Sequence, residues 1–204
     1  MIWAIVVAAG SGTRYGGPKQ LDLLDGRRLV DVAVEQPRAV ADGVVLVVPP
    51  DLVDEEWPDV DVLVAGGASR SDSVRAGLAA VPDSAEVVLV HDAARPGAPR
   101  AVFEAVLAAL DEADAAVPGV PLSDTLRHLR GEPVDRDEIV GVQTPQAFRA
   151  KALRAGHVGA PQATDDATLV ERTGGRVVVV PGSPQAMKVT TRADLRLLEA
   201  LLET

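Results

Sequence analysis

The chain of 204 residues contains no cysteine, which excludes disulfide bonds, thiolate nucleophiles and zinc sites with cysteine ligands. Aromatic residues make up 2% of the sequence, too few to stack the successive bases of a nucleic-acid strand. The formal net charge of −10 also argues against a nucleic-acid partner. No apolar run approaches the length of a membrane span, so we expect no membrane partner and a cytoplasmic location.

The apolar share of 47% is ample for a core, and its distribution along the chain indicates an α/β fold. Segments with helical spacing lie between uninterrupted apolar runs of strand length, which are typical of parallel strands covered on both faces. Strands and helices that alternate in this way predict a three-layer Rossmann-like fold with a mainly parallel sheet, in one domain over residues 1–204. The apolar runs occupy Ile2–Ala8, Val44–Val48, Asp61–Ala65, Glu86–Val90 and Arg176–Val180.

A β-hairpin arm is predicted at about residues 121–141, where the alternation of strands and helices stops. Thr125–Leu129 and Glu132–Asp135 flank Arg130-Gly131, a pattern that favours two strands joined by a tight turn. An isolated two-stranded ribbon is only marginally stable in water. We therefore expect the arm to pack against a second subunit and to form a homodimer.

Three of the predicted helices can be given a range, an internal proline or a start. Pro37 is expected to kink or divide the helix over Arg28–Ala41. Another helix is predicted near Ala147–Ala155. The final helix is expected to begin after Thr191, because Thr191 and Asp194 have the spacing of a capping box.

The loop after the first strand carries the strongest functional signal. It reads Gly10-Ser11-Gly12-Thr13-Arg14-Tyr15-Gly16-Gly17-Pro18-Lys19-Gln20, in which glycines expose backbone N–H groups and Arg14 and Lys19 add positive charge. The dinucleotide fingerprint would need glycine in place of Tyr15, and the Walker loop would need lysine directly after Gly17. We infer another kind of polyphosphate site, most simply one for a nucleoside triphosphate. The alternative is a glycine turn with two solvated cations.

Two further polar loops follow predicted strands, at Gly66–Arg70 and at Asp92–Arg95. In a parallel sheet such loops share the carboxyl edge, where ligands bind. Asp92 is a candidate Mg²⁺ ligand, because Mg²⁺ takes one or two protein carboxylates plus phosphate oxygens; the alternative is a helix cap. No serine lies in a Ser-His-Asp pattern, so the residues favour phosphoryl or nucleotidyl transfer.

The first loop resembles the signature of sugar-phosphate nucleotidyltransferases, and further blocks narrow the resemblance to the 2-C-methyl-D-erythritol 4-phosphate cytidylyltransferase family. The resemblance implies that CTP and methylerythritol phosphate react to give a CDP-alcohol and pyrophosphate, with Mg²⁺, in non-mevalonate isoprenoid synthesis. The blocks that carry it, in chain order, are Ala8–Arg14, Pro18–Gln20, Gly66-Gly67, Arg70, Asp72-Ser73-Val74, His91–Pro96, Asp124-Thr125, Val134-Asp135-Arg136, Thr144-Pro145-Gln146, Thr164-Asp165 and Lys188-Val189-Thr190.

The same resemblance implies roles for individual residues. Arg14 and Lys19 would stabilise charge on the α-phosphate, Arg136 and Lys188 would align the attacking phosphate, and Asp92 would hold Mg²⁺. Because the family's arm crosses to the partner subunit, Thr125 and Arg136 would serve the neighbouring site. CTP would be bound by Ala8, Ala9, Gly10, Ser11, Gly12, Gly67, Ala68, Arg70, Ser73 and Ala93, and the sugar phosphate by Arg95, Thr125, Arg136, Thr164 and Lys188.

Two other functions agree with the same residues. One is cytidylyl transfer to another polyol phosphate such as ribitol 5-phosphate, because that family resembles this chain across the same blocks. The other is a non-catalytic nucleotide sensor, since fold alone does not establish function. The chain departs from the family's pattern at Ala68, where relatives often have a carboxylate, and at Gln185-Ala186, where some have Asp-Asn.

Overall fold

The structure, a computed structural model, describes residues 1–58 and 60–203 and is built around an eight-stranded sheet. The strands are β1 (Ile2–Val7), β2 (Leu23–Leu24), β3 (Arg27–Arg28), β4 (Gly43–Val48), β5 (Val62–Ala65), β6 (Val87–Asp92), β7 (Ala115–Pro121), β8 (Leu126–Arg127), β9 (Pro133–Val134), β10 (Val140–Val142), β11 (Gln146–Arg149) and β12 (Val177–Pro181). The α-helices are α1 (Leu29–Val40), α2 (Arg70–Ala80), α3 (Arg100–Ala108), α4 (Ala150–Gly156), α5 (Asp166–Arg172) and α6 (Arg192–Leu202).

The sheet is mainly parallel and has β1 near its centre. Strand β1 pairs in parallel with β4 and β6, and β4 pairs in parallel with β5. On the other side, β11 lies antiparallel between β6 and β7. Strand β7 also pairs with β10 in antiparallel and with β12 in parallel. The mainly parallel sheet predicted from the apolar runs is thus confirmed.

Helices cover both faces of the sheet, which gives three layers. Strands buried on both sides can be apolar at every position, and all six residues of β4 are buried. Ala4 and Val6 face a core built with α1 and α3. Ile5, between them in sequence, faces a second core built with α2, α4 and α5. None of the helices in residues 1–58 and 60–203 combines the length and the apolar character that a membrane crossing requires.

The structure refines one predicted helix and corrects another. Helix α1 runs without a break from Leu29 to Val40 although it contains Pro37, so of the predicted kink or division the division does not occur. A single proline removes one backbone hydrogen bond. The buried side chains of Val30 and Val34 hold the helix against the sheet, and Leu29 packs in a separate cluster with Tyr15 and Leu198. The predicted helix over Ala147–Ala155 is a strand, β11, in its first part and becomes α4 only at Ala150.

The arm is a hairpin, as predicted. Strands β8 and β9 pair in antiparallel, and the N–H of Gly131 donates to His128 O over 2.8 Å to close the turn. Gly131 has a φ of +109°, a conformation that favours glycine. Leu129 at the tip is fully exposed, and β10 then returns the chain to the sheet. Contact between the arm and a second subunit stays a prediction.

Candidate active site

A cleft of about 680 Å³ lies at the carboxyl edge of the parallel strands. Its walls come from the loop after β1, the loop after β5, the end of β6 and the segment before α6. These segments are far apart in sequence, and the sheet brings them together because parallel strands present their carboxyl ends at one edge. This is the edge at which the sequence predicts a ligand site.

The loop after β1 folds around Gly12. Gly12 O accepts hydrogen bonds from the N–H groups of Tyr15 at 2.8 Å and Gly16 at 2.9 Å. Gly12 has a φ of +64°, and a Cβ there would lie 1.8 Å from Gly17 O, so only glycine fits this position. In the part of the chain that the structure describes, no protein acceptor pairs with the N–H groups of Gly10 or Ser11. Both residues line the cleft, and these N–H groups suit an anionic ligand.

The loop after β5 contributes the N-terminus of α2. Ser69 and Asp72 form a capping box, in which Ser69 Oγ accepts from Asp72 N over 3.0 Å and Asp72 Oδ2 accepts from Ser69 N over 3.1 Å. Ser73 is buried, and its hydroxyl accepts from Gly67 N over 3.2 Å. The cap therefore fixes Gly67 and Ser73 in the wall of the cleft and starts the helix at Arg70.

Asp92, the last residue of β6, lies at the centre of a cluster of cations. Its Oδ1 accepts from Arg70 Nε over 3.1 Å, and its Oδ2 accepts from Lys188 Nζ over 2.6 Å. Its backbone N–H donates to Thr144 Oγ1 over 3.0 Å, which holds the end of the strand. Lys19 Nζ donates to Val189 O over 2.9 Å, so the loop after β1 is tied to the segment before α6.

The pKa values of this cluster follow from burial and from neighbouring charges, which are opposite in sign around Asp92 and mostly like in sign around Lys19. Burial alone would raise the pKa of the Asp92 carboxyl, but Arg70, Lys188 and Arg95 together hold it well below its usual range. Burial lowers the pKa of the Lys19 ammonium, and the neighbouring cations Lys188 and Arg14 lower it further. Groups with perturbed pKa values in one cleft are a physical sign of a functional site.

Most of the predicted site residues meet in this cleft, while four do not line it. Arg95 Nη1 donates to Ala186 O over 2.7 Å. Thr164 is exposed before α5, and Thr125 and Arg136 are exposed on the arm. Arg136 Nη1 donates to Ser123 O over 2.7 Å, within the arm itself. The cleft is lined by Ala8, Ala9, Gly10, Ser11, Gly12, Arg14, Lys19, Gly67, Ala68, Arg70, Ser73, Asp92, Ala93 and Lys188.

The structure adds residues that no sequence pattern indicated. Asp166 is fully buried and accepts from Arg70 Nη1 over 2.7 Å. His157 Nε2 lies 3.0 Å from the other carboxylate oxygen of Asp166. Tyr15 is buried in the loop after β1, and its hydroxyl donates to Asp22 Oδ2 over 2.6 Å. The contacts of Asp166 join residues of different segments, so local spacing could not have revealed them. Tyr15 and Asp22 lie seven residues apart between β1 and β2, and no sequence pattern indicates their contact.

Comparison with known proteins gives consistent matches over nearly the whole chain. The family model for 2-C-methyl-D-erythritol 4-phosphate cytidylyltransferase (IspD) matches residues 2–204. The enzyme of that name from Frankia casuarinae is 46% identical over 98% of this chain and 80% of its own length. The one from Streptomyces avermitilis is 42% identical over 98% of this chain and 90% of its own length. A bifunctional IspD/IspF enzyme of Nitratidesulfovibrio vulgaris is 43% identical, and the chain spans 57% of its length.

Solved structures give the same result for the fold. The crystal structure of 2-C-methyl-D-erythritol 4-phosphate cytidylyltransferase from Thermus thermophilus is 36% identical, with a TM-score of 0.86 over 100% of both chains. The bifunctional IspDF of Campylobacter jejuni has a TM-score of 0.88 at 27% identity and covers 97% of this chain and 54% of its own. The chain therefore belongs to the 2-C-methyl-D-erythritol 4-phosphate cytidylyltransferase family, whose reaction transfers a cytidylyl group from CTP in isoprenoid synthesis.

Proposed function

We propose that the cleft binds CTP with its triphosphate on the loop after β1 and transfers the cytidylyl group to 2-C-methyl-D-erythritol 4-phosphate. The observation that carries this proposal is the convergence of Arg14, Lys19 and Lys188 on one cleft in a protein of net charge −10. A phosphate monoester has a second pKa near ~6, so the nucleophile is already anionic at neutral pH. The site has two anions to bring together, and fixed cations lower the repulsion between them.

The individual roles follow from where the side chains lie. Arg14 and Lys19, on the loop, would contact the phosphates of CTP and stabilise the charge that builds up on the α-phosphate. Lys188 would hold the attacking phosphate, together with Arg136 of a neighbouring subunit. The glycine-rich segment of the first loop, with Gly67, Ala68, Arg70, Ser73 and Ala93, would hold the nucleotide. Arg95, Thr125 and Thr164 would complete the binding of the sugar phosphate.

Mg²⁺ belongs to this proposal, with Asp92 as its protein ligand. Among the described residues, no three acidic or histidine side chains cluster closely enough to enclose a cation. A site of one carboxylate completed by phosphate oxygens suits Mg²⁺, which usually binds protein through one or two carboxylates and substrate phosphates. Held there, the ion would supply positive charge that neutralises the substrate phosphates. Before that, Asp92 Oδ2 has to release Lys188.

The arm supports a homodimer in the same proposal. Thr125 and Arg136 are exposed on the arm and lie outside the cleft of their own subunit, so we assign them to the cleft of a neighbouring subunit. The exposed side chain of Leu129 would be covered in such an assembly. The chain would act as one nucleotidyltransferase domain, residues 1–204 with the arm at about 121–141, in the cytoplasm.

Release of pyrophosphate tests the proposal directly. Each of the common nucleoside triphosphates is incubated with Mg²⁺ and either methylerythritol phosphate or ribitol 5-phosphate. We expect rapid release only with CTP and methylerythritol phosphate, and none after chelation of the metal. Faster turnover with ribitol 5-phosphate would reassign the alcohol substrate. CTP binding without any pyrophosphate release would make the chain a sensor.

A further inference from the structure

Asp166 is a buried carboxylate whose position serves the cleft rather than its own helix. It is the first residue of α5, but the cap of that helix is provided by Asp165, whose Oδ1 accepts from Thr168 N over 3.1 Å. Asp166 instead accepts from Arg70 Nη1 at 2.7 Å and lies 3.0 Å from His157 Nε2. A carboxylate with an exposed fraction of 1% is costly unless such partners compensate it.

Arg70 joins this carboxylate to the one at the end of β6. Arg70 Nη1 donates a hydrogen bond to Asp166 Oδ2, and Arg70 Nε donates one to Asp92 Oδ1 over 3.1 Å. The five donors of a guanidinium are fixed in one plane, so a second anchor determines which face of the first carboxylate the group can reach. Asp166 therefore limits Arg70 to Oδ1 of Asp92 and leaves Oδ2 to Lys188.

We propose that Asp166 is a positioning residue that acts through Arg70 to keep Asp92 Oδ2 available to a divalent cation. The inference rests on the proposed function, in which Lys188 moves to the attacking phosphate and Mg²⁺ binds Asp92. Once Lys188 leaves, a guanidinium without its second anchor would turn and bind both oxygens of Asp92, as arginine commonly binds carboxylates. Arg70 would then compete with the cation for the same oxygen.

Asp166→Asn is the test, because it keeps the shape of the side chain and removes its charge. The amide oxygen can still accept from Arg70, but a neutral acceptor holds a guanidinium more weakly than a carboxylate does. We expect CTP binding measured by calorimetry to weaken about tenfold with Mg²⁺ present, the size typical of a broken buried network. In EDTA, the binding of CTP is expected to change less than about twofold, because the other contacts of the nucleotide are intact.

A matched control and a double-mutant cycle separate this role from general damage to the fold. Glu171→Gln makes the same chemical change at an exposed site on the same helix and is expected to bind CTP like the parent. In an Arg70→Gln background, Asp166→Asn should add no further loss if it acts through Arg70. An equal loss with and without Mg²⁺, or an undiminished loss in that background, would overturn the proposal.

If Asp166→Asn does not fold, Arg70→Lys tests the same link. An ammonium on a flexible stem cannot reproduce the planar fork that spans two carboxylates. Because Arg70 is itself placed among the nucleotide-binding residues, we expect some loss of CTP binding in EDTA and a larger loss with Mg²⁺ present. A loss that is no larger with Mg²⁺ than in EDTA would overturn the proposal. The parent protein is the reference throughout: if it shows no Mg²⁺-stimulated CTP binding or pyrophosphate release, the proposed function fails. If it shows both and Asp166→Asn matches it, only this inference fails.

Discussion

Lys188 Nζ donates to Asp92 Oδ2 over 2.6 Å, although the two residues are 96 positions apart in sequence. In the proposed reaction the lysine serves the attacking phosphate and the aspartate serves Mg²⁺. Until those ligands arrive, Lys188 partners one oxygen of the buried Asp92 carboxylate, whose other oxygen is held by Arg70. We therefore expect binding of CTP with its metal and binding of the alcohol phosphate to be coupled through this pair.

Lys19→Ala is expected to lower kcat by roughly 10²–10³, the usual effect of losing one preorganised donor at a developing charge. The stability of the fold should change little by comparison, because Lys19 is half-buried and its Nζ makes a single hydrogen bond, to Val189 O. Steady-state kinetics at saturating CTP measures the loss.

The control for this variant is Lys151→Ala, which removes a lysine from an exposed position on α4, away from the cleft. It is expected to keep the parental kcat. Activity of Lys19→Ala within a few-fold of the parent would remove this lysine from the mechanism. The lowered pKa of Lys19 also predicts that the parent loses activity at a less alkaline pH than an ordinary lysine would allow.

His91 is expected to make the fold sensitive to acid. Burial, together with the nearby Arg95, lowers its pKa to about 4, against about 6.5 for an unfolded histidine. Between these values the unfolded chain holds a proton that the folded one lacks, so stability is lost as the pH falls from about 6.5 to about 4. His91→Gln should remove this contribution, of about 3 kcal/mol, from the pH dependence.

Urea unfolding at a series of pH values measures the effect. His91 lies 3.2 Å from Thr144 Oγ1 and packs against Phe103, so the variant is expected to be less stable at neutral pH. Only the change of the unfolding free energy with pH tests the prediction. His128→Gln is the control, because His128 is exposed on the arm. If His91→Gln keeps the parental slope, the buried neutral histidine is not its source.

Much of the fold could be predicted because the core strands are apolar throughout. The predicted strand at Val44–Val48 is confirmed as β4, extended by one residue, and the capping box at Thr191 and Asp194 is present. Strand β11 could not be predicted, because four residues are too few for periodicity to distinguish strand from helix. Its buried Ala147 and Phe148 are held as a strand by pairing with β6 and β7, a long-range effect.

The candidate site could likewise be predicted only in part. Arg14, Lys19 and Asp92 follow strands of one parallel sheet, so their meeting in the cleft could be expected from the order of elements. No pattern in the sequence indicates Asp166. Its link to Arg70 joins two helices that are 96 residues apart, and only their packing brings the two side chains together.

Tyr15→Phe is expected to loosen the loop after β1. The Tyr15 hydroxyl donates to Asp22 Oδ2, and the Arg192 guanidinium lies 5.1 Å above the ring. Loss of this hydrogen bond to a charged, part-exposed acceptor should cost about 1 kcal/mol of unfolding free energy. Because the same loop carries Arg14 and Lys19, we also expect a higher KM for CTP.

The pH dependence of stability distinguishes the loss of this hydrogen bond from a loss of packing. Burial, with the hydrogen bond to Asp22, raises the pKa of Tyr15 to about 12, above the unfolded value of about 10. The folded chain therefore retains its proton where the unfolded chain has lost it, and stability is lost as the pH rises from about 10 to about 12. Tyr15→Phe should lack this loss in unfolding experiments at alkaline pH. An alkaline loss equal to that of the parent would show that another group is responsible.

Mixing Lys19→Ala with Arg136→Ala tests whether sites are shared between subunits. Each variant alone is expected to be nearly inactive, since each lacks a cation of the proposed site. If the arm serves the neighbouring cleft, a mixed dimer contains one site with both defects and one site with neither. Random exchange makes about half of the dimers mixed, so about a quarter of the parental activity should return.

Subunit exchange has to be verified, for example by recovering a tagged variant together with an untagged one. Mixing Lys19→Ala with Lys19→Ala,Arg136→Ala is the matched control, because every site in that mixture lacks Lys19 and no activity should return. Recovery in the first mixture alone would establish a crossed arm. Confirmed exchange without recovery would mean that Arg136 acts in its own subunit or not at all, and the exposed arm would then need another explanation.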